Sequence, residues 1–167
     1  MSTRTGTSAH TRTQTATYLT EVIMGAIADI LADLGIDLTR LYADWSQDES
    51  AIASWIEEGS LKEVILECHR PDGSVKPVFE FPLEYNVAGT GDARFVSSRA
   101  ALARYRAKLE RTPPGTTFRL FCTYLGLHSD QPGWSPGKRA STAGLRTTSL
   151  GTLAEGPHGR AGTRYLS

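Results

Sequence analysis

Four histidines, His10, His69, His128 and His158, and two cysteines, Cys68 and Cys122, are the residues of this 167-residue chain best suited by type to bind a metal or supply a nucleophile. Their spacing builds neither. There is no HExxH, no CxxC, no GxSxG elbow, and no carboxylate at a metal-ligand interval from them. His69 follows Cys68 directly, but neighbours on a strand point to opposite faces, so they do not pair as thiol and base. Both cysteines lie in apolar strand patterns and read as small core residues, as a reducing compartment permits. Asp44, Asp48 and Glu49 cluster as acid/base pairs do, yet carboxylates at the start of a helix ordinarily serve its dipole. The glycines of residues 86–92, NVAGTGD, suggest a phosphate loop but lack both GK[ST] and GxGxxG, and read as a connection. No catalytic residue, metal or cofactor is expected.

The elements that surround these residues are clearer. Residues 61–85, LKEVILECHRPDGSVKPVFEFPLEY, form a long hairpin. Val75, Phe79, Phe81, Leu83 and Tyr85 recur at even spacing with Lys76, Glu80 and Glu84 between them, the period of a half-buried strand. Pro71, Asp72 and Gly73 stand in the order that a type I turn with a G1 bulge favours. Pro77 and Pro82 put regular pairing of the return arm in doubt, because proline donates nothing to a ladder. Such a ribbon needs a cover. Leu19, Val22, Ile23, Ala26, Ile27, Ile30, Leu31 and Leu34 supply one on a helix that Thr15 or Thr17 would cap and Gly35 would stop. Their burial is worth on the order of 10 kcal/mol gross.

A second helix, residues 49–58, carries Ile52, Trp55 and Ile56, with Asp48 or Ser46 as its cap and Gly59 as its stop. A third is expected from near Ser97 to Arg111, with Ala101, Leu102, Tyr105 and Leu109 inward and Arg99, Arg104, Arg106, Lys108 and Arg111 on the remaining surface. Pro113 and Pro114 end it. Strand TTFRLFCTY, residues 116–124, places Phe118, Leu120 and Cys122 on one face and Arg119, Phe121 and Thr123 on the other. Residues 1–14 are polar and expected to be disordered, 15–125 form the core, and 126–167, rich in Gly, Ser, Thr and Pro, wrap a core built elsewhere.

Charge is balanced overall but not along the chain: 15 acids face 5 bases over residues 17–98, and 11 bases face 3 acids over 99–167. Either the halves match each other, or the basic part is offered to an acidic partner. Zero net charge gives no electrostatic case for direct nucleic-acid binding. No signal peptide and no stretch near the roughly 20 apolar residues of a membrane span are evident, so a soluble, cytoplasmic protein is expected.

This order of elements resembles the HORMA domain of spindle-checkpoint proteins, meiotic chromosome-axis proteins and bacterial anti-phage operons. VILECHRPDGSVKPVFEF is similar to the family's aliphatic run, turn and Trp-x-Phe pair, with Phe79 and Phe81 in the aromatic places. FRLFCTY looks like the strand after the third helix, and LRTTSLGTL with Tyr165 and Leu166 resembles parts of the safety belt. GPHG, residues 156–159, is a turn without a clear place in the family pattern. The resemblance implies an α+β fold, helices on one face of a mainly antiparallel sheet with a C-terminal safety belt. It implies a closure-motif peptide added beside Phe118, Arg119, Leu120, Phe121, Cys122, Thr123 and Tyr124. The belt residues would be Leu145, Arg146, Thr147, Thr148, Leu150, Leu153, Tyr165 and Leu166. With few apolar anchors in it, deletion of residues 144–167 is expected to leave the core folded. The short length resembles the bacterial members most, which implies a CD-NTase second-messenger synthase activated by the closed form in CBASS signalling. It also implies an AAA+ ATPase that resets the switch through the N-terminal tail. A general adaptor of the same fold with another partner is the alternative.

Overall fold

The computed structural model describes residues 2–85, 95–98 and 100–167, with side chains of the first helix from Thr11 onwards. The NVAGTGD segment and Arg99 lie outside the described residues. Helix α1 runs Ser2–Leu34, α2 Thr39–Ala43, α3 Trp45–Glu58 and α4 Ala100–Arg106. The strands are β1 Leu61–His69, β2 Val75–Tyr85, β3 Val96–Ser97, β4 Thr117–Tyr124, β5 Thr147–Gly156 and β6 Gly159–Leu166. They form one antiparallel sheet in the order β3-β5-β6-β2-β1-β4.

All eight aliphatics of the α1 stripe are buried, and Met24 with them, so this helix is enclosed on more than one side. It stops as expected at Gly35, whose φ of +74° allows the amides of Gly35 and Ile36 to reach back to the carbonyls of Ala32 and Leu31. Its start is different. The helix begins at Ser2, so the polar segment expected to be disordered is helical. Extending a formed helix costs far less than nucleating one, and Thr13 Oγ1 adds a hydrogen bond to Glu57 Oε1 on α3 at 2.8 Å. An 18-residue window within Thr11–Leu34 reaches a mean hydropathy of 1.3, so by length and composition alone this part of α1 is apolar enough to cross a membrane, contrary to the reading above. Those apolar side chains are the ones buried beneath the sheet.

The β1–β2 turn has the expected chemistry. Gly73 N–H donates to Arg70 O, Gly73 has φ +88°, and Asp72 Oδ1 accepts from the backbone and hydroxyl of Ser74. The register slips between Glu67 and His69, opposite the part of β2 that holds Pro77. Pro82 keeps its place opposite Glu63, while on the β6 side the paired residues skip from Glu80↔Arg164 to Leu83↔Ala161. Gly162 fits there, since a Cβ on it would stand 3.4 Å from Pro82 Cγ.

Two other details depart from the sequence reading. Helix α3 starts at Trp45 after Asp44, with no side-chain cap, and not at Glu49. Helix α4 spans seven residues, Ala100–Arg106, after which the chain crosses to the end of α1, where Thr112 donates through both N and Oγ1 to Leu34 O.

The helices cover one face of the sheet. The other face carries a small cluster of Ile65, Val78 and Leu166, with Val75, Phe121 and Leu145 against it. The charge asymmetry resolves as an internal match. Each arginine–carboxylate pair among the described residues joins an acid from residues 17–98 to an arginine from 99–167: Arg106 to Asp29 and Asp33, Arg139 and Arg164 to Glu63 and Glu80, and Arg160 to Glu84.

Candidate functional site: a strapped strand edge

Strand β4 ends the sheet. Its inner side pairs with β1, Phe118 opposite Cys68, Leu120 opposite Leu66, Cys122 opposite Val64 and Phe121 opposite Ile65. The faces alternate as the sequence requires: Phe118, Leu120, Cys122 and Tyr124 pack toward the helices, while Phe121 joins the cluster on the opposite face. Among the described residues no strand lies on its other side, so the outer backbone groups of β4 are a template for an incoming chain.

Residues 126–146 pass round that edge. They set out on the helix side, where Ser129 is tied at three points. Its carbonyl accepts from Trp55 Nε1 at 2.8 Å, and its amide and hydroxyl donate to the two oxygens of Glu58 at 2.9 and 2.8 Å. His128 stacks on Tyr124 with ring centroids 3.5 Å apart, and Trp134 meets Trp55 edge-on at 5.3 Å. By Gly137 the chain is against Phe121, whose ring would lie 3.1 Å from a Cβ added there. It then reaches the outer face, where Arg139 Nη1 donates to Glu80 Oε2 and Ala140 N–H donates to Glu67 Oε2, both at 2.8 Å. The segment is a strap.

Between strap and strand lies a cavity of about 550 Å³ lined by Leu120, Phe121, Cys122, Tyr124, Trp55 and Trp134, among others. A smaller one of about 130 Å³ shares Leu120 and Trp134 and extends to Arg40, Asp44, Asp48 and Phe118. Burial, then the charge of Asp44, holds the Asp48 carboxyl up at about 6. Burial, then Asp48, pushes the Cys122 thiol upward, and burial raises Cys68 to about 12, so neither is a thiolate near neutral pH. Among the described residues no group of three His, Cys, Asp or Glu side chains could hold a metal ion.

The strap ends over three buried carboxylates on the outer face. Glu63, Glu67 and Glu80 are all below a tenth exposed. Arg164 on β6 bridges Glu63 and Glu80 at 2.8 and 3.0 Å, Arg139 comes from the strap, and His69 Nε2 lies 3.0 Å from Glu67. Arginine suits this place because its fork reaches two carboxylates at once.

The seven residues assigned to peptide binding therefore lie together on β4, while six of the eight assigned to the belt lie on a hairpin away from it and Leu145 and Arg146 stand at the end of the strap. Thr147, Thr148, Leu150 and Leu153 are on β5, Tyr165 and Leu166 on β6, and that hairpin pairs with β2, two strands from β4. Leu145 and Leu166 do reach the cluster that contains Phe121, and Arg146 pairs through its backbone with Ser167. Leu150 and Leu153 are buried under the helices, and Tyr165 packs on Phe79 and Tyr105. The covering residues are instead His128, Ser129, Trp134, Gly137, Arg139 and Ala140. One signal for them stood in the sequence: Glu63 and Glu67 share a face of an otherwise apolar strand, and buried acids need partners. GPHG proves to be the β5–β6 turn, with His158 at φ +73° and Pro157 O accepting from Thr15 Oγ1.

A family model described as "Bacterial HORMA domain 2" matches residues 4–167. A search of curated proteins returns no match. Among solved structures, a chain of the mitotic checkpoint complex superposes with a TM-score of 0.73 at 12% identity, covering 90% of this chain and 97% of that one. Caenorhabditis elegans HTP-2 bound to a HIM-3 closure motif gives 0.69 at 15%, covering 91% and 89%. A chain of the CdnC:HORMA-deltaN complex of Escherichia coli MS115-1 gives 0.59 at 14%, covering 92% and 87%. At these identities the likeness is one of fold, and the match of the family model over nearly the whole chain places it: this protein belongs to the bacterial HORMA domain 2 family.

Proposed function

We propose that the protein is a peptide-binding switch that takes a closure-motif peptide as an added strand along β4. The observation that carries this is the groove of about 550 Å³ between the bare edge of β4 and the strap that passes round it. Main-chain hydrogen bonds along such an edge give affinity with little regard to sequence. The strap contributes kinetics, because a strand threaded beneath it leaves only when the strap lifts.

The finer reading is that the peptide-bound form binds and activates a CD-NTase nucleotidyltransferase in antiviral CBASS signalling, in the cytoplasm, without catalysing a reaction itself. Family membership and the fold shared with a chain of the E. coli CdnC complex support it. Reset by an AAA+ remodelling ATPase acting on the N-terminal end of α1 belongs to the same reading. Thr15 Oγ1 donates to Pro157 O in the β5–β6 turn, so unwinding α1 from that end removes a tie on the hairpin.

The test selects peptides on the whole protein and then measures whether the selected peptide raises the affinity for, and product formation by, a candidate CD-NTase nucleotidyltransferase. Stimulation only with peptide present is the expected result. Peptide binding with no effect on the synthase would instead favour an adaptor for another partner.

A further inference from the structure

We propose that the peptide this groove selects carries an arginine or lysine whose side chain points toward the helices, seated beside Trp134 between the carboxylates of Asp48 and Asp130. The inference rests on the peptide-binding reading above and adds the chemistry of the occupant.

A strand laid along β4 would send alternate side chains to the two sides of the sheet. On the outer side it meets Phe121 and Gly137, already so close that a Cβ on the glycine would stand 3.1 Å from the ring. Large side chains therefore go to the helix side. There the walls are aromatic: Trp55 meets Tyr124 and Trp134 edge-on at 5.0 and 5.3 Å, and His128 covers Tyr124.

Aromatic walls accept an apolar side chain or a cation, and the charges decide between them. Asp44, Asp48 and Asp130 line the two adjoining cavities, against one guanidinium, Arg40, which lies over the Phe118 ring at 5.6 Å. Asp130 is exposed, whereas Asp48 is half-buried and its carboxylate makes no close ion pair or hydrogen bond among the described residues, with only the more distant charge of Arg40 acting on it. A greasy side chain would desolvate Asp48 further with nothing in return, while a cation supplies the missing partner. Trp134 Nε1 is also buried without an acceptor among the described residues, and an extended peptide brings a carbonyl within the same space.

The test pans a random peptide library displayed on phage against the full chain. Enrichment of Arg or Lys at one position is expected. A synthetic peptide with that residue replaced by Met should bind about tenfold more weakly, equivalent to about 1.4 kcal/mol. A D48N/D130N variant should bind both peptides alike. Selected peptides without a basic position, or a Met peptide that binds as well as its parent, would overturn this inference and leave peptide binding intact. Failure to select any peptide would remove both. The substitution in the peptide requires no change to the protein, so the answer does not depend on how the variant folds.

Discussion

The last quarter of the chain has one composition and two behaviours. Residues 126–146 and the β5–β6 hairpin are both rich in Gly, Ser and Thr. The hairpin nevertheless buries Leu150, Leu153, Ala154, Ala161 and Leu166 and extends the sheet beyond β2, so it is part of the fold. The strap contributes no buried apolar side chain. It is held by Ser129, a half-buried Trp134, Arg139 and one amide, contacts that can be exchanged for water at modest cost. An element that must open and close on a ligand comes from the second kind of segment, resting on a platform built from the first.

Truncation breaks this comparison most severely. Deleting residues 147–167 should abolish the cooperative thermal transition, because five buried apolar side chains go and β2 becomes an exposed edge with an aromatic face. Next in size, Arg164→Ala leaves Glu63 and Glu80 with less compensation inside the fold and should cost about 2–3 kcal/mol in denaturant unfolding. Asp48→Asn acts in the opposite direction. Because burial raises its carboxyl to about 6 from an ordinary 3.8, the folded state holds that proton more tightly, so the penalty for ionisation appears as pH rises from about 4 to 6. The variant should melt higher than the parent at pH 7.5 and identically at pH 3. Smallest is Arg160→Ala, which breaks an exposed pair with Glu84 and should change stability by less than about 0.5 kcal/mol.

The helix stripe of α1, the β1–β2 turn and the alternating faces of β4 were legible because each repeats a local rule with the period of its own backbone. Cooperativity hid the start of α1: threonines with poor helix propensity continue a helix already held by Leu19 and Ile23. The strap was hidden for another reason. A Gly/Ser/Pro segment has no period, and its path is fixed by single distant partners, Glu58 for Ser129, Trp55 for Trp134 and Glu80 for Arg139. The β-favouring residues of LRTTSL make the platform, and the stretch that covers β4 precedes them within the 126–167 segment expected to wrap the core. The uneven charge was the better guide, since the acids of β1 and β2 meet the arginines that follow β4.

The central claim is that the strap, and not the hairpin, sets how long a peptide stays on β4. It is tested most directly by the dissociation rate of a selected, fluorescently labelled peptide from the parent protein and from Arg139→Ala, whose side chain ties the strap to Glu80. The account predicts dissociation at least about tenfold faster with little change in association rate. Equal dissociation rates from the two proteins would contradict it.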